Sequence, residues 1–145
     1  MANIISFHKN YVNNIIFLGD YEKDCVVLNS IFNGNIHIVP GNCDYSSKLP
    51  QEKLISIAGR KIFMAHGHQH GVKSGYKQIS DAAVSVGANI CLFGHTHIAA
   101  NIQCNKNGIL LLNPGSISEP RNNLGRSYAV IDIIGNDVLA KIVNS

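Results

Sequence analysis

Short apolar runs that stop abruptly at glycine and a polar side chain recur along this chain. Asn13–Asp20 ("NNIIFLGD") is one, and it reads as a buried strand with a loop at its C-terminal end. Asp24–Phe32 follows with Val27, Leu28, Ile31 and Phe32 at helical spacing, Asp24 as a cap and Gly34 as a stop. "NIHIVPGNCD" is a second strand with a loop. Leu54–Ile57 and Lys61–Ala65 flank an Ala-Gly turn and predict a hairpin. Ser74–Ala88 repeats apolar residues at a helical period (Ile79, Ala82, Ala83, Val86), and "NICLFGHTH" is the next strand. Two hairpins close the chain, one around Lys106-Asn107-Gly108 and one turning at Gly135-Asn136. Strand and helix alternate first and hairpins follow. That order predicts a single α/β domain over 1–145, with layered mixed sheets flanked by helices.

Five strands end in small or polar clusters: LGD, PGNCD, AHGH, FGHTH and LNPGS. Open α/β sheets bind ligands outside the carboxyl ends of their strands. The pattern therefore delivers Asp20, Asn42, His66, His95 and His97 to one edge of the sheet.

Composition narrows the class. The 145 residues are 46% hydrophobic and 14% charged, which is the balance of a folded chain. No apolar stretch approaches the roughly 18 residues of a membrane helix. Nothing at the N-terminus reads as a signal peptide, so a cytoplasmic location is expected. The net charge of +3 comes from scattered Lys and Arg, a distribution that does not indicate nucleic acid as a partner. Cys25, Cys43, Cys91 and Cys104 form no C-x-x-C pair and read as reduced thiols.

The chemistry lies in the clusters. Neutral imidazole and carboxylate suit zinc, iron and manganese. A carboxylate has two oxygens, so Asp20 is able to bridge two ions, and the amide oxygen of Asn42 donates without adding charge. Among the alternating His66, His68 and His70, His66 abuts the strand and is the candidate ligand. Two adjacent ions can activate a water and stabilise a phosphoryl oxygen together.

In order along the chain stand Gly19-Asp20, Gly41-Asn42-Cys43-Asp44, His66-Gly67, Gly94-His95-Thr96-His97 and Asn113-Pro114-Gly115-Ser116. This series resembles the calcineurin-like metallophosphoesterases, most closely their small bacterial and archaeal phosphodiesterase branch. The resemblance implies a metallophosphoesterase-like αββα sandwich. It implies up to two divalent ions, with manganese, zinc, iron and nickel equally compatible. Asp20 would bridge them, Asn42, His66 and His95 would complete the second site, and His97 would sit on the first. The reaction implied is hydrolysis of a small phosphomonoester or phosphodiester by metal-activated water. The alternative is a non-catalytic interaction scaffold of the same fold, or an inactive remnant.

The N-terminus departs from the family's opening strand, D-x-H and helix. "IISFHKN" stands there, so matching His8 as a further ligand puts Ser6 at the aspartate's place. Six residues from Lys9 to Asn14 then remain before the next strand, too few for a helical crossover. The expectation is a sandwich without its first helix. Ile15 and Phe17 would lose cover on that face, which points to a homo-oligomer. Cys43, where other branches place histidine, is a poor proton donor to a leaving group. Arg121 is a candidate phosphate contact.

Overall fold

Arg60–Ala65, Ile90–Phe93 and Leu110–Asn113 are apolar at almost every position, as strands covered on both faces must be. In the computed structural model, which describes residues 1–121, 123 and 125–145, they are the parallel centre of a five-stranded sheet. The elements in chain order are α1 (Ala2–His8), β1 (Asn14–Phe17), a 3-10 segment (Glu22–Val27) running into α2 (Leu28–Ile31), β2 (Asn35–Ile38), β3 (Glu52–Ile57) and β4 (Arg60–Ala65). A 3-10 turn (His68–His70), α3 (Lys77–Ser85), β5 (Ile90–Phe93), β6 (Ala100–Gln103), β7 (Leu110–Asn113), β8 (Ser127–Ile134) and β9 (Asp137–Asn144) complete the chain.

The sheet order is β3-β4-β5-β7-β6, parallel across β4, β5 and β7 and antiparallel at both edges. Alternation along the central strands sorts side chains to two faces. Phe63, Ala65, Cys91 and Phe93 meet Ile79 and Ala83 of α3. Ile62, Met64, Ile90 and Leu92 face the other way, toward a second layer. That layer comprises the parallel pair β1-β2 and the antiparallel hairpin β8-β9, which bring Ile16, Leu18, Ala129 and Ile131 onto the same core. α1 and α2 cover the outside of β1-β2 through Ile5, Cys25, Leu28 and Phe32. The result is the expected layered mixed α/β sandwich flanked by helices.

Three details differ from the sequence reading. The helix expected over 24–32 is a 3-10 segment followed by a single short turn; Val26 and Val27 are stiff at χ1 and lower helix propensity there. α3 is shorter than 74–88, because Gly75 has φ 140° and Gly87 closes the helix with φ 71°. The third is a correction at the N-terminus. A helix does precede β1: residues 2–8 are α1, with Ile5 buried on Cys25, Leu28 and Phe32. Ile15 and Phe17 pack against that same cluster and so have the cover they were expected to lack. Ser6 lies on the exposed side of α1, not at the end of a strand. No helix among the described residues is long and apolar enough to cross a membrane.

The two readings of residues 2–8 separate by mutation. Ile5→Ala removes a buried side chain and is expected to cost about 2–4 kcal/mol. Ser6→Asp on the exposed face is expected to stay within about 0.5 kcal/mol and to leave metal binding unchanged. Urea unfolding and a zinc titration of both variants check this. A metal-affinity gain in Ser6→Asp would restore the strand reading.

Candidate metal centre

β1, β2, β4, β5 and β7 all end on the same side, and the loops that follow them carry the polar clusters. The chains after β1 and β2 cross very closely. A Cβ on Gly19 would stand 2.5 Å from the Gly41 nitrogen and 2.7 Å from His66 Nδ1, so glycine is required at this crossing. Asp44 fastens the second loop: its carboxylate accepts the Gly41 N–H at 2.8 Å and the Glu22 N–H at 2.9 Å. Asp20, His95 and His97 all adopt left-handed backbone, with φ of 63°, 65° and 58°. Such non-glycine conformations are uncommon and concentrate at functional sites.

His66 is the hub. It is 2% exposed, and its Nδ1 donates to the Leu18 carbonyl at 2.5 Å. That bond fixes the tautomer and leaves Nε2 with its lone pair. Around Nε2 lie His95 Nδ1 at 3.2 Å, Asn42 Oδ1 at 3.2 Å and Asp20 Oδ2 at 3.4 Å. On the other side of Asp20, His97 Nε2 approaches the same Oδ2 at 3.7 Å, while His97 Nδ1 donates to the Glu119 carbonyl at 2.8 Å. Asp20 Oδ1 accepts the Cys43 N–H at 3.1 Å. One carboxylate is therefore shared between a three-partner side (Asn42, His66, His95) and a one-partner side (His97).

Charge follows from this packing. Burial, with His66 and Lys73 next, pushes His95 down to about 4, so it is neutral at physiological pH. Burial also lowers His66, despite the opposing pull of the Leu18 carbonyl and Asp20. Burial alone would raise Asp20, but His66, Cys43 and His97 outweigh it and hold the carboxyl below its ordinary value. The Cys43 thiol is raised, by burial first and then by its hydrogen bond to Asp20. His66 and His95 thus present neutral imidazoles beside the ionised carboxylate of Asp20, the protonation states that ligate metals.

Among the described residues, no group of three or more His, Cys, Asp or Glu side chains is arranged so that it could hold a metal ion as it stands. The donors instead touch one another. Their separations of 3.2, 3.2 and 3.4 Å are close to the edges of a coordination shell, about 3.0–3.4 Å for bonds near 2.0–2.1 Å. Donor chemistry fits a divalent ion among Asp20, Asn42, His66 and His95, and the three separations from His66 Nε2 are those of neighbouring ligands, though the side chains must open to admit the ion.

All five residues read from the strand ends, Asp20, Asn42, His66, His95 and His97, are brought together. His8 is not. It sits at the end of α1, and its Nε2 is hydrogen-bonded to Tyr128 Oη at 3.0 Å. The ligand expectation for His8 failed because it assumed a strand and loop where Ile5 anchors a helix. Arg121 N–H donates to the His97 carbonyl at 3.1 Å, and its side chain is exposed. Asn113 is a residue whose role the sequence reading left unassigned. Fully buried, it donates to Gly94 O at 2.9 Å and Thr96 Oγ1 at 3.0 Å, and it accepts the Gly115 N–H at 3.0 Å. It holds the loop of His95 and His97; an amide ending the apolar run "LLLN" was its signal. The His68 ring lies tilted beside His66 and His95, with centroids 5.4 Å and 6.0 Å away.

A layered α/β sandwich with a shared aspartate between histidine-bearing strand ends defines a metallophosphoesterase-type protein. Residues 1–136 match the family model of the calcineurin-like phosphoesterase superfamily domain, and the chain belongs to that family. It is 38% identical over 96 residues to "Probable metallophosphoesterase YsnB" of Bacillus subtilis, a match covering 66% of this chain and 56% of that protein. The chain thus spans a little over half the length of this curated relative. A predicted phosphoesterase from Streptococcus pneumoniae shares the fold at TM-score 0.83 and 27% identity, covering 99% of this chain and 80% of that one. Wild-type Vps29 complexed with zinc, from Entamoeba histolytica, is similar at TM-score 0.70 and 20% identity, covering 97% and 88%. This last likeness concerns the fold alone.

Zinc affinity measured by calorimetry checks the assignment. His66→Ala is expected to weaken binding by more than the roughly 10–100-fold typical of losing an outer-shell partner, and Asn113→Ala by about that amount. His8→Ala is expected to leave affinity unchanged.

Proposed function

We propose that this chain is a metal-dependent phosphoesterase domain that hydrolyses a small phosphodiester or phosphomonoester. The observation that carries the reading is the convergence of Asp20, Asn42 and His95 on the free nitrogen of His66. A divalent ion bound there would supply a water of lowered pKa and positive charge toward a phosphoryl oxygen. The chain's own residues do the positioning. Leu18 holds His66 with Nε2 free, and Asn113 holds the loop of His95 and His97. Asp20 adds the one carboxylate within that set, and Asn42 an uncharged oxygen. Cys43 is a protonated thiol at the mouth, with its backbone N–H committed to Asp20. It provides no strong acid for a leaving group, which favours substrates whose alcohol leaves readily.

One observation favours a second reading. On the His97 side, Asp20 and His97 are the only paired donors among the described residues. A centre filled on one side alone would bind metal yet catalyse poorly, and the domain would then act as an interaction scaffold.

The test is metal content with hydrolysis of bis-p-nitrophenyl phosphate in added manganese. The expected result is nearer one ion than two per chain, with slow turnover that His95→Ala abolishes. Metal binding without any turnover dependent on His95 would favour the scaffold. Absence of metal binding would overturn both readings.

A further inference from the structure

The imidazoles of His66, His95 and His68 form a triangle, with ring centroids 5.0, 5.4 and 6.0 Å apart. Two corners belong to the metal centre. The third, His68, stands beside the donor atoms that meet at His66 Nε2 and is not one of them. His66 and His97 each have one ring nitrogen tied to a backbone carbonyl, that of Leu18 and that of Glu119. His68 is not tied in this way. Its Nδ1 is buried and has no hydrogen-bond partner among the described residues. The ring as a whole is half-buried, and Nε2 is its accessible nitrogen. A proton on Nδ1 would be a desolvated donor with nothing to bond, whereas on Nε2 it stays open to solvent or to a ligand. His68 therefore presents an Nε2–H beside the centre.

The turn that carries this ring is held by the residues on either side of it. Gly67 has φ 105°, and a Cβ there would stand 3.0 Å from Val72 Cγ2, so glycine lets the turn close on a side chain that is 2% exposed. The Gly67 carbonyl accepts the N–H groups of His70 and Val72, at 3.0 and 3.5 Å. His70 Nε2 lies 2.9 Å from Glu52 Oε1 on β3, and its ring meets Phe63 edge-on. The backbone of the turn is thus fixed, and the ring of His68 is left for a partner outside the chain. Lys73 follows on the same turn and is exposed. Burial and His66 lower His95 most, and Lys73 and His68 come next, which places both within electrostatic reach of His95.

The sign of the ligand depends on the ion. In the metal-free centre the charge is the carboxylate of Asp20, which repels anions. A divalent ion reverses that sign, and Lys73 adds to it. Cys43, also at the mouth, is a protonated thiol and only a weak donor. We propose that His68 is a substrate-binding residue whose Nε2–H donates to a non-bridging phosphoryl oxygen of the substrate, and of product phosphate, with Lys73 supplying positive charge beside it. A donor fixed by its backbone and not yet bonded costs no rearrangement when the anion arrives. This inference rests on the metal-centre reading, because the anion is held only when the ion is present.

Inorganic phosphate is the probe, titrated by calorimetry into the full chain preloaded with equimolar zinc. His68→Ala loses a hydrogen bond to a charged group, so phosphate affinity is expected to fall about 10–100-fold while zinc affinity is unchanged. His68→Gln carries an amide N–H near the place of Nε2 and is expected to recover most of that loss. Lys73→Met is expected to weaken phosphate by no more than about fivefold, an effect that fades in high salt. In the wild-type chain the nitrogen NMR signal of His68 Nε2 is expected to move on adding phosphate. Equal phosphate affinity in wild type and His68→Ala would overturn the proposal, and so would a loss that His68→Gln leaves unrestored. A fall in zinc affinity in both variants would also overturn it, since His68 would then be a ligand of the ion. Zinc uptake without phosphate binding would overturn this inference alone, whereas a wild-type chain that takes up no zinc would remove the metal-centre reading and this inference with it.

Discussion

The bond from His66 Nδ1 to the Leu18 carbonyl joins the two layers of the sandwich at the point where the chemistry sits. Leu18 follows a strand of one layer, and His66 ends a strand of the other. The bond requires the two backbones to approach closely, and Gly19 and Gly41 make that approach possible. It also settles which nitrogen of His66 is free. Asp20, Asn42 and His95 then have a common point to converge on. Without it, each would be a turn residue in a separate loop.

The centre is held by strain as well as by contacts. Left-handed backbone at Asp20, His95 and His97 is unfavourable for side chains, and it persists only where the surroundings enforce it. Asp44 and Asn113 are the enforcers. Asp44 ties the Gly41 loop to the segment after β1, and Asn113 ties Gly94 and Thr96 to the loop after β7. Burial supplies the electrostatic half. It lowers His66 and His95, keeping them neutral beside an ionised Asp20.

Much of this was legible in the sequence because strand ends announce themselves. An apolar run followed by Gly-Asp, Gly-Asn or Gly-His marks both a buried strand and the residue it delivers. Asp20, Asn42, His66, His95 and His97 were accessible in this way. α1 was not, because "ANIISFH" has one buried anchor, Ile5, and reads equally well as a strand. His8 was misplaced with it. The partition of the second layer into two sheets was also hidden. Ile16 and Ile131 carry the same alternation whether a neighbouring strand is present or absent, and only pairing shows the difference.

The central claim is that oxygen and imidazole nitrogen of Asp20, Asn42, His66 and His95 make one divalent-ion site. X-ray absorption at the zinc edge of the zinc-loaded protein tests it most directly. The account predicts a first shell of nitrogen and oxygen at about 2.0–2.1 Å, with outer-shell scattering from two imidazoles. A sulfur shell at about 2.3 Å, which would bring Cys43 onto the ion, or a spectrum without imidazole, would contradict it.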